Sequence, residues 1–354
     1  MMKKEAISPA QNANGISRLG YVDSLRGISA LLVVFSHAFP FLTINEYFIN
    51  IGKVGVFIFF MISGFVIPYS FKKEPGCNSI FITNRFFRLY PAYWFSLLLA
   101  IVVYYFLNEP MPTWKQIAFN ITMLQMGAGQ PNIIGVYWTL FIELIFYIIC
   151  LGLARNEYLW NEQKMVGMFY LFISLSVLAS AIRFILHKKA PVAIPLGLSM
   201  MFLGYAWRAC ILDKSVYMAS KIKSMVTICM ISTFICGYLS YSWDHQTDEP
   251  WQNFSYAYVL GIFIFIISTK YIKFNTVATC YLGVISYSLY LIHDPIIKMV
   301  SSLKSELTFL TNQEIKFSSI FIAVLFSSFV YSLVEKPSIS FGKKIVKKIR
   351  ESNA

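Results

Sequence analysis

The chain has 354 residues, of which 57% are hydrophobic, 17% aromatic and only 13% charged, and its mean hydropathy is +0.61. A water-soluble domain does not reach that apolar content, so the composition excludes a soluble fold. The formal charge of +13 does not call for nucleic acid, because a basic inner face matches anionic lipid headgroups.

Apolar stretches of roughly 17 to 25 residues recur between short polar breaks, the length a helix needs to cross the hydrocarbon core. The pattern predicts an all-α polytopic integral membrane protein of about ten transmembrane helices. They are expected over 25–42, 53–70, 88–107, 136–154, 165–186, 191–209, 223–241, 253–269, 277–295 and 315–334. Residues 1–24 read as a cytoplasmic segment, 25–334 as one membrane domain and 335–354 as a basic cytoplasmic tail. Met1 to Gly20 lacks an apolar core beside a small-residue cleavage site and is not expected to be a signal peptide.

The first helix, YVDSLRGISALLVVFSHAFP, carries Asp23, Arg26 and His37. Arg26 and His37 lie about three turns apart, within ~20° of one face and ~16 Å along the axis. Asp23 and Arg26 read equally well as a helix cap with a snorkelling base. A histidine inside a membrane helix points to function, and its neutral ring can act as a general base. In the second helix Gly52, Gly55, Ser63 and Gly64 allow close helix approach. The third begins ITNRFFRLYPAYW, placing Arg85 and Arg88 on one face at the cytoplasmic edge. Paired guanidinium groups there suit either interfacial snorkelling or bidentate phosphate binding.

Pro110 to Gln125 is too short and interrupted for a span and is expected to be interfacial or re-entrant. The fourth helix then enters from the outer side with Trp138 near its start, and Thr139, Glu143 and Tyr147 form one polar stripe. Glu143 is expected a turn or two below the outer surface. LGVISYSLYLIHDP puts His293 and Asp294 at the outer end of the ninth helix, where Asp294 before Pro295 reads as a terminator. Glu335, just past the tenth, reads as solvated among the tail lysines.

Most of the 30 Lys and Arg fall in segments that are cytoplasmic if the N-terminus is, including Lys3, Lys4, Arg18 and the tail lysines. Both termini are therefore expected inside, and the acidic stretch with Asp244, Asp248 and Glu249 outside. The six cysteines imply neither a disulfide nor a metal site.

In order along the chain, these segments resemble the membrane-bound acyltransferase family 3, which includes bacterial O-antigen and other cell-envelope O-acetyltransferases. The resemblance runs from Asp23 to Pro337. It rests on Arg26 and His37 with ten residues between them, on Ser63-Gly64-Phe65, and on Arg85 with Arg88. It continues through Trp138-Thr139-Leu140 with Glu143, the run Ile285 to His293, and Glu335-Lys336-Pro337. Thr139 stands where serine is usual and keeps the hydroxyl. No soluble esterase-like domain follows the tenth helix, so the transfer chemistry is expected in the membrane domain or in a separate partner.

The resemblance implies an acyl-CoA donor, most often acetyl-CoA, used as substrate rather than as a bound cofactor. It also implies a bacterial inner membrane and an envelope glycan or lipid-linked oligosaccharide, such as lipopolysaccharide O-antigen, as acceptor. Donor phosphates would meet Arg85, Arg88 and Arg26, and the pantetheine arm would extend along the first helix towards His37. His37 would take the acceptor's proton, with Glu143 and Asp23 as further catalytic carboxylates and Glu143 orienting the histidine or binding sugar. Ser63, Trp138, Thr139, Tyr147 and His293 are the expected substrate contacts. A covalent acyl-histidine relay is the alternative order of events. The rival function is a proton-coupled or glycan/lipid transporter, disfavoured by the absence of an inverted repeat; a non-catalytic scaffold leaves the intramembrane polar residues unexplained.

Overall fold

A computed structural model describes residues 19–39, 49–188, 190–243, 250–306 and 309–353. The expected inner residues Lys3, Lys4 and Arg18, and the expected outer stretch Asp244 to Glu249, lie outside the described residues. The described chain is helical, with no strand: α1 (Gly20–Ala38), α2 (Ile51–Val66), α3 (Cys77–Phe106), α4 (Trp114–Ile121), α5 (Tyr137–Arg155) and α6 (Glu162–Leu186). It continues as α7 (Ala193–Ile211), α8 (Val216–Tyr241), α9 (Trp251–Ile267), α10 (Val277–Ser302), α11 (Asn312–Val330) and α12 (Lys336–Asn353).

Among the described residues, nine helices are long and apolar enough to cross a membrane. The chain is a multi-pass membrane protein. The first helix, α1, is not one of the nine, and its sequence says why: Asp23, Ser24, Arg26 and Ser29 dilute its hydropathy. It packs against α2 and α10 instead of facing lipid on all sides, so neighbouring helices cover its polar face.

The α1–α10 contact has a fixed register. Ser24 Oγ lies 2.8 Å from Thr279 Oγ1, and a Cβ on Gly283 would collide with the Asp23 carbonyl. A Cβ on Gly27 would meet the Gly283 backbone in turn. Without side chains at these two positions the backbones touch, and the parallel helices stay in step from there to His37 and His293. Gly283→Val is therefore expected to cost at least the roughly 1–3 kcal/mol of an overpacked core, read as a lower unfolding temperature in detergent. A variant as stable as the parent would show that the register does not depend on this contact.

The segment expected to be interfacial or re-entrant contains the eight-residue helix α4, and the chain after it turns into the bundle. Asn120, Met123, Gln125, Ile133 and Ile134 are buried. Irregular backbone survives at that depth only if its polar groups are satisfied. Asn120 does much of this: its amide donates to the Gln116 and Pro131 carbonyls at 2.8 and 3.0 Å, its side-chain oxygen accepts from Ile133 N at 3.1 Å, and its carbonyl accepts from Tyr93 OH at 2.6 Å. As a result α5 starts inside the protein, with Val136 and Tyr137 buried.

Several boundaries differ from expectation: α3 begins at Cys77 and not at 88, which puts Arg85 and Arg88 within the helix and not at its start, and α8 begins at Val216 and not at 223. Pro295 does not end α10, which runs on to Ser302; Pro295 removes only one backbone donor. At the other end α11 passes through a π-helical turn, Tyr331–Glu335, into α12, so the tail is helical and Glu335 points inward, 2% exposed. Its carboxylate accepts from Ser288 Oγ at 2.7 Å and lies within electrostatic reach of Arg88 and Arg26. The reading of Glu335 as solvated among lysines is corrected: an extra residue in the helical turn rotates it off the surface.

Candidate active site

Four helices and the α10 face that closes them enclose a cavity of about 170 Å³. Arg26 comes from α1, Ser63 from α2, Arg85 and Arg88 from α3, and Thr139, Glu143 and Tyr147 from α5; α10 adds Tyr287 and Tyr290. All but the two α10 tyrosines are site residues singled out in the sequence, seven in number, drawn into one space by helices far apart in the chain.

The charges in this space are unequally paired. Arg26 Nη1 donates to Asp23 Oδ1 at 3.3 Å, so Asp23 serves the arginine and not His37. Arg85 donates to Ser70 Oγ at 3.2 Å and lies over the Phe81 and Tyr147 rings, while its Nε is buried without a hydrogen-bond partner. Among the described residues Arg88 makes no hydrogen bond or ion pair. The cavity therefore presents guanidinium donors that its own carboxylates do not saturate, the condition for binding an anion.

Glu143 lies in this cavity and is not beside His37. Its Oε1 accepts from Tyr147 OH at 2.5 Å and is 3.5 Å from Ser63 Oγ, and it is within electrostatic reach of Arg26. The expectation that it orients His37 is corrected: α5 carries Glu143 into the cavity lined by Arg26, Arg85 and Arg88, and His37 does not line it. Trp138 does not line the cavity; its ring packs 6.1 Å from that of Phe60. Thr139 does, with its hydroxyl 2.8 Å from Tyr290 OH.

Tyr290 forms the wall beyond which a second cluster begins. One turn further along α10, His293 is fully buried, 6.0 Å ring to ring from Tyr290 and 4.8 Å, edge to face, from His37. His37 Nδ1 lies 3.6 Å from Asp294 Oδ1. His37 is 35% and Asp294 20% exposed, so this cluster is reached from outside while the arginine cavity lies on the other side of Tyr290. Lys298, another turn on, lies 3.7 Å from Glu109 and 3.5 Å from Tyr104 OH. Among the described residues no group of His, Cys, Asp and Glu is arranged to hold a metal ion.

Sequence reasoning missed Tyr287, Tyr290 and Glu335 as parts of the site and took Asp294 for a helix terminator. The tyrosines had a signal: Tyr287 and Tyr290 are one turn apart in a run where serines alternate with aromatics.

A model of the Acyltransferase domain family matches residues 19–334. Among curated proteins, the acyltransferase MdmB of Streptomyces mycarofaciens is 29% identical over 107 residues, 28% of this chain and 27% of that protein. Nodulation protein 10 of Rhizobium leguminosarum bv. viciae is 28% identical over 174 residues, 41% of this chain and 46% of the relative. The exopolysaccharide production protein ExoZ of Rhizobium meliloti (strain 1021) is 24% identical over 303 residues, 83% of this chain and 92% of the relative. The matched parts thus span under half of the first two relatives and nearly the whole of the third. No solved structure matches.

Proposed function

The chain belongs to the Acyltransferase domain family, and from that premise we propose that it moves an acyl group, acetyl in the simplest case, from acyl-CoA to a hydroxyl of an envelope glycan in the bacterial inner membrane. The observation that carries this reading is the pairing of two sites along α1: the cavity at Arg26, whose unsaturated donors are those of Arg85 and Arg88, and a solvent-accessible histidine–carboxylate pair at His37, ~16 Å apart along one helix.

The division of labour follows from size and charge. At about 170 Å³ the cavity is smaller than the ~300–1,000 Å³ of sites that hold a whole small molecule. It suits the slender end of the donor, with Arg85 and Arg88 taking phosphate oxygens at its mouth. Glu143, with Tyr147 and Ser63, holds the guanidinium cluster together. The pantetheine arm then runs along α1 past Tyr290, whose hydroxyl would exchange Thr139 for the donor. His37 accepts the proton of the acceptor hydroxyl as its oxygen bonds to the thioester carbonyl carbon. The tetrahedral intermediate collapses with cleavage of the carbon–sulfur bond, and the departing thiolate takes the proton back.

The exopolysaccharide role in the name of one relative widens the acceptor beyond O-antigen to secreted polysaccharide. Mass spectrometry of envelope and secreted glycans from cells with and without the protein tests the whole reading. The expected result is an ester-linked acyl mass, 42 Da for acetyl (~42, one acetyl replacing one hydrogen), present only with the protein. Identical glycan masses, with substrate movement in vesicles instead, would make the chain a transporter.

A further inference from the structure

We propose that Asp294 is the positioning residue for His37 and that, with His293, it forms a subsite for a neutral hydroxyl group. The proposal rests on the acyltransferase reading and deepens it.

Hydrogen-bond chemistry fixes the tautomers. A carboxylate only accepts, so the His37 nitrogen facing Asp294, Nδ1 at 3.6 Å, must carry the hydrogen. In the neutral ring the other nitrogen, Nε2, is then the bare lone pair, the form a general base needs. The gap is longer than a tight hydrogen bond and is of the kind that closes when substrate binds. His293 is locked in the same tautomer by different partners. Its Nδ1 lies 2.8 Å from the Tyr290 carbonyl and 3.2 Å from the Leu289 carbonyl, which also only accept. Its Nε2 is buried and has no hydrogen-bond partner among the described residues.

An unpartnered buried acceptor is costly and calls for a donor. Among the described residues the cluster of His37, His293 and Asp294 thus offers two imidazole lone pairs and a carboxylate, and no uncommitted donor of its own. An alcohol can satisfy it by donating its hydrogen; a phosphate or carboxylate cannot, since it would face Asp294 and lone pairs. Lys298 does not reverse this, because it is held between Glu109 and Tyr104 and also feels Asp294. When His37 takes the proton, the charge on its ring is balanced by Asp294, while neutral His293 adds no second charge beside it. Asp294 acts through His37 and needs no contact with the reacting atoms.

The test uses purified full-length protein in lipid nanodiscs, labelled acetyl-CoA as donor, and membranes of a strain lacking the gene as acceptor. Asp294→Asn is expected to lower kcat by at least about tenfold, a part of the ~10²–10⁴ that positioned proton transfer supplies, with the acetyl-CoA KM within about threefold of the parent's. Asp294→Glu, which keeps the carboxylate, should recover much of the lost rate. The Asp294→Asn/His37→Gln double variant should be no slower than His37→Gln alone, because one residue acts through the other. A structural role would instead multiply the two losses and leave Asp294→Glu as impaired as Asn. An Asp294→Asn variant with more than half the parent kcat, or multiplicative losses, overturns the proposal while the acyltransferase reading stands. A parent protein that transfers no acetyl to these membranes overturns both.

Discussion

Replacing His37 with Gln is expected to leave the protein inserted and able to bind acetyl-CoA while acyl transfer falls by roughly 10²- to 10⁴-fold, the contribution of positioned proton transfer. Glutamine keeps polarity and approximate size, so it can still donate to Asp294 across the 3.6 Å that separates the two side chains in the parent. It cannot abstract a proton. The arginine cavity lies elsewhere on α1, and His37 is not among its lining residues, so donor affinity should be unchanged. Initial rates and acetyl-CoA binding, measured on the same preparation, separate the two effects. A fully active variant would remove His37 from the mechanism and leave His293, with its unpartnered Nε2, as the remaining base in that cluster.

The second large effect is expected from the double variant Arg85→Ala/Arg88→Ala. A hydrogen bond to a charged group is worth roughly 1.5–3 kcal/mol, so losing both weakens acetyl-CoA binding by about two decades or more. The two losses need not add in full where both groups grip one phosphate. Arg88 makes no hydrogen bond or ion pair among the described residues but lies within electrostatic reach of the buried Glu335, so thermal unfolding must be read alongside affinity. Arg85 gives up its bond to Ser70 and its stacking on Phe81 and Tyr147, a modest cost at a half-exposed position. Titration of acetyl-CoA by calorimetry, alongside thermal unfolding, reads both quantities. Unchanged affinity in a folded double variant would return the arginines to the role of snorkelling at the membrane interface.

The sequence by itself determined the class of this protein and the inventory of its chemistry. Runs of apolar residues fix spanning helices because no other open-chain structure satisfies its backbone in lipid. Within such runs Arg26, His37, Arg85, Arg88 and Glu143 stand out because an ionisable group there is costly unless it faces a cavity. Periodicity also placed Thr139, Glu143 and Tyr147 on one face of α5, where Thr139 and Glu143 indeed share the cavity with Tyr147.

Partnership was decided only by the tertiary structure. Helical periodicity gives a residue's face and its height relative to others on the same helix, but not the height of one helix against another. That offset is set at contacts distant in sequence. Gly27 against Gly283 slides α10 along α1 until Asp294 reaches His37. The buried turn around Asn120 starts α5 inside the protein and gives Glu143 to the arginines. A single π-helical turn brings Glu335 in from the tail. Each of these sets which charged groups meet, and none can be read from the periodicity of a single helix.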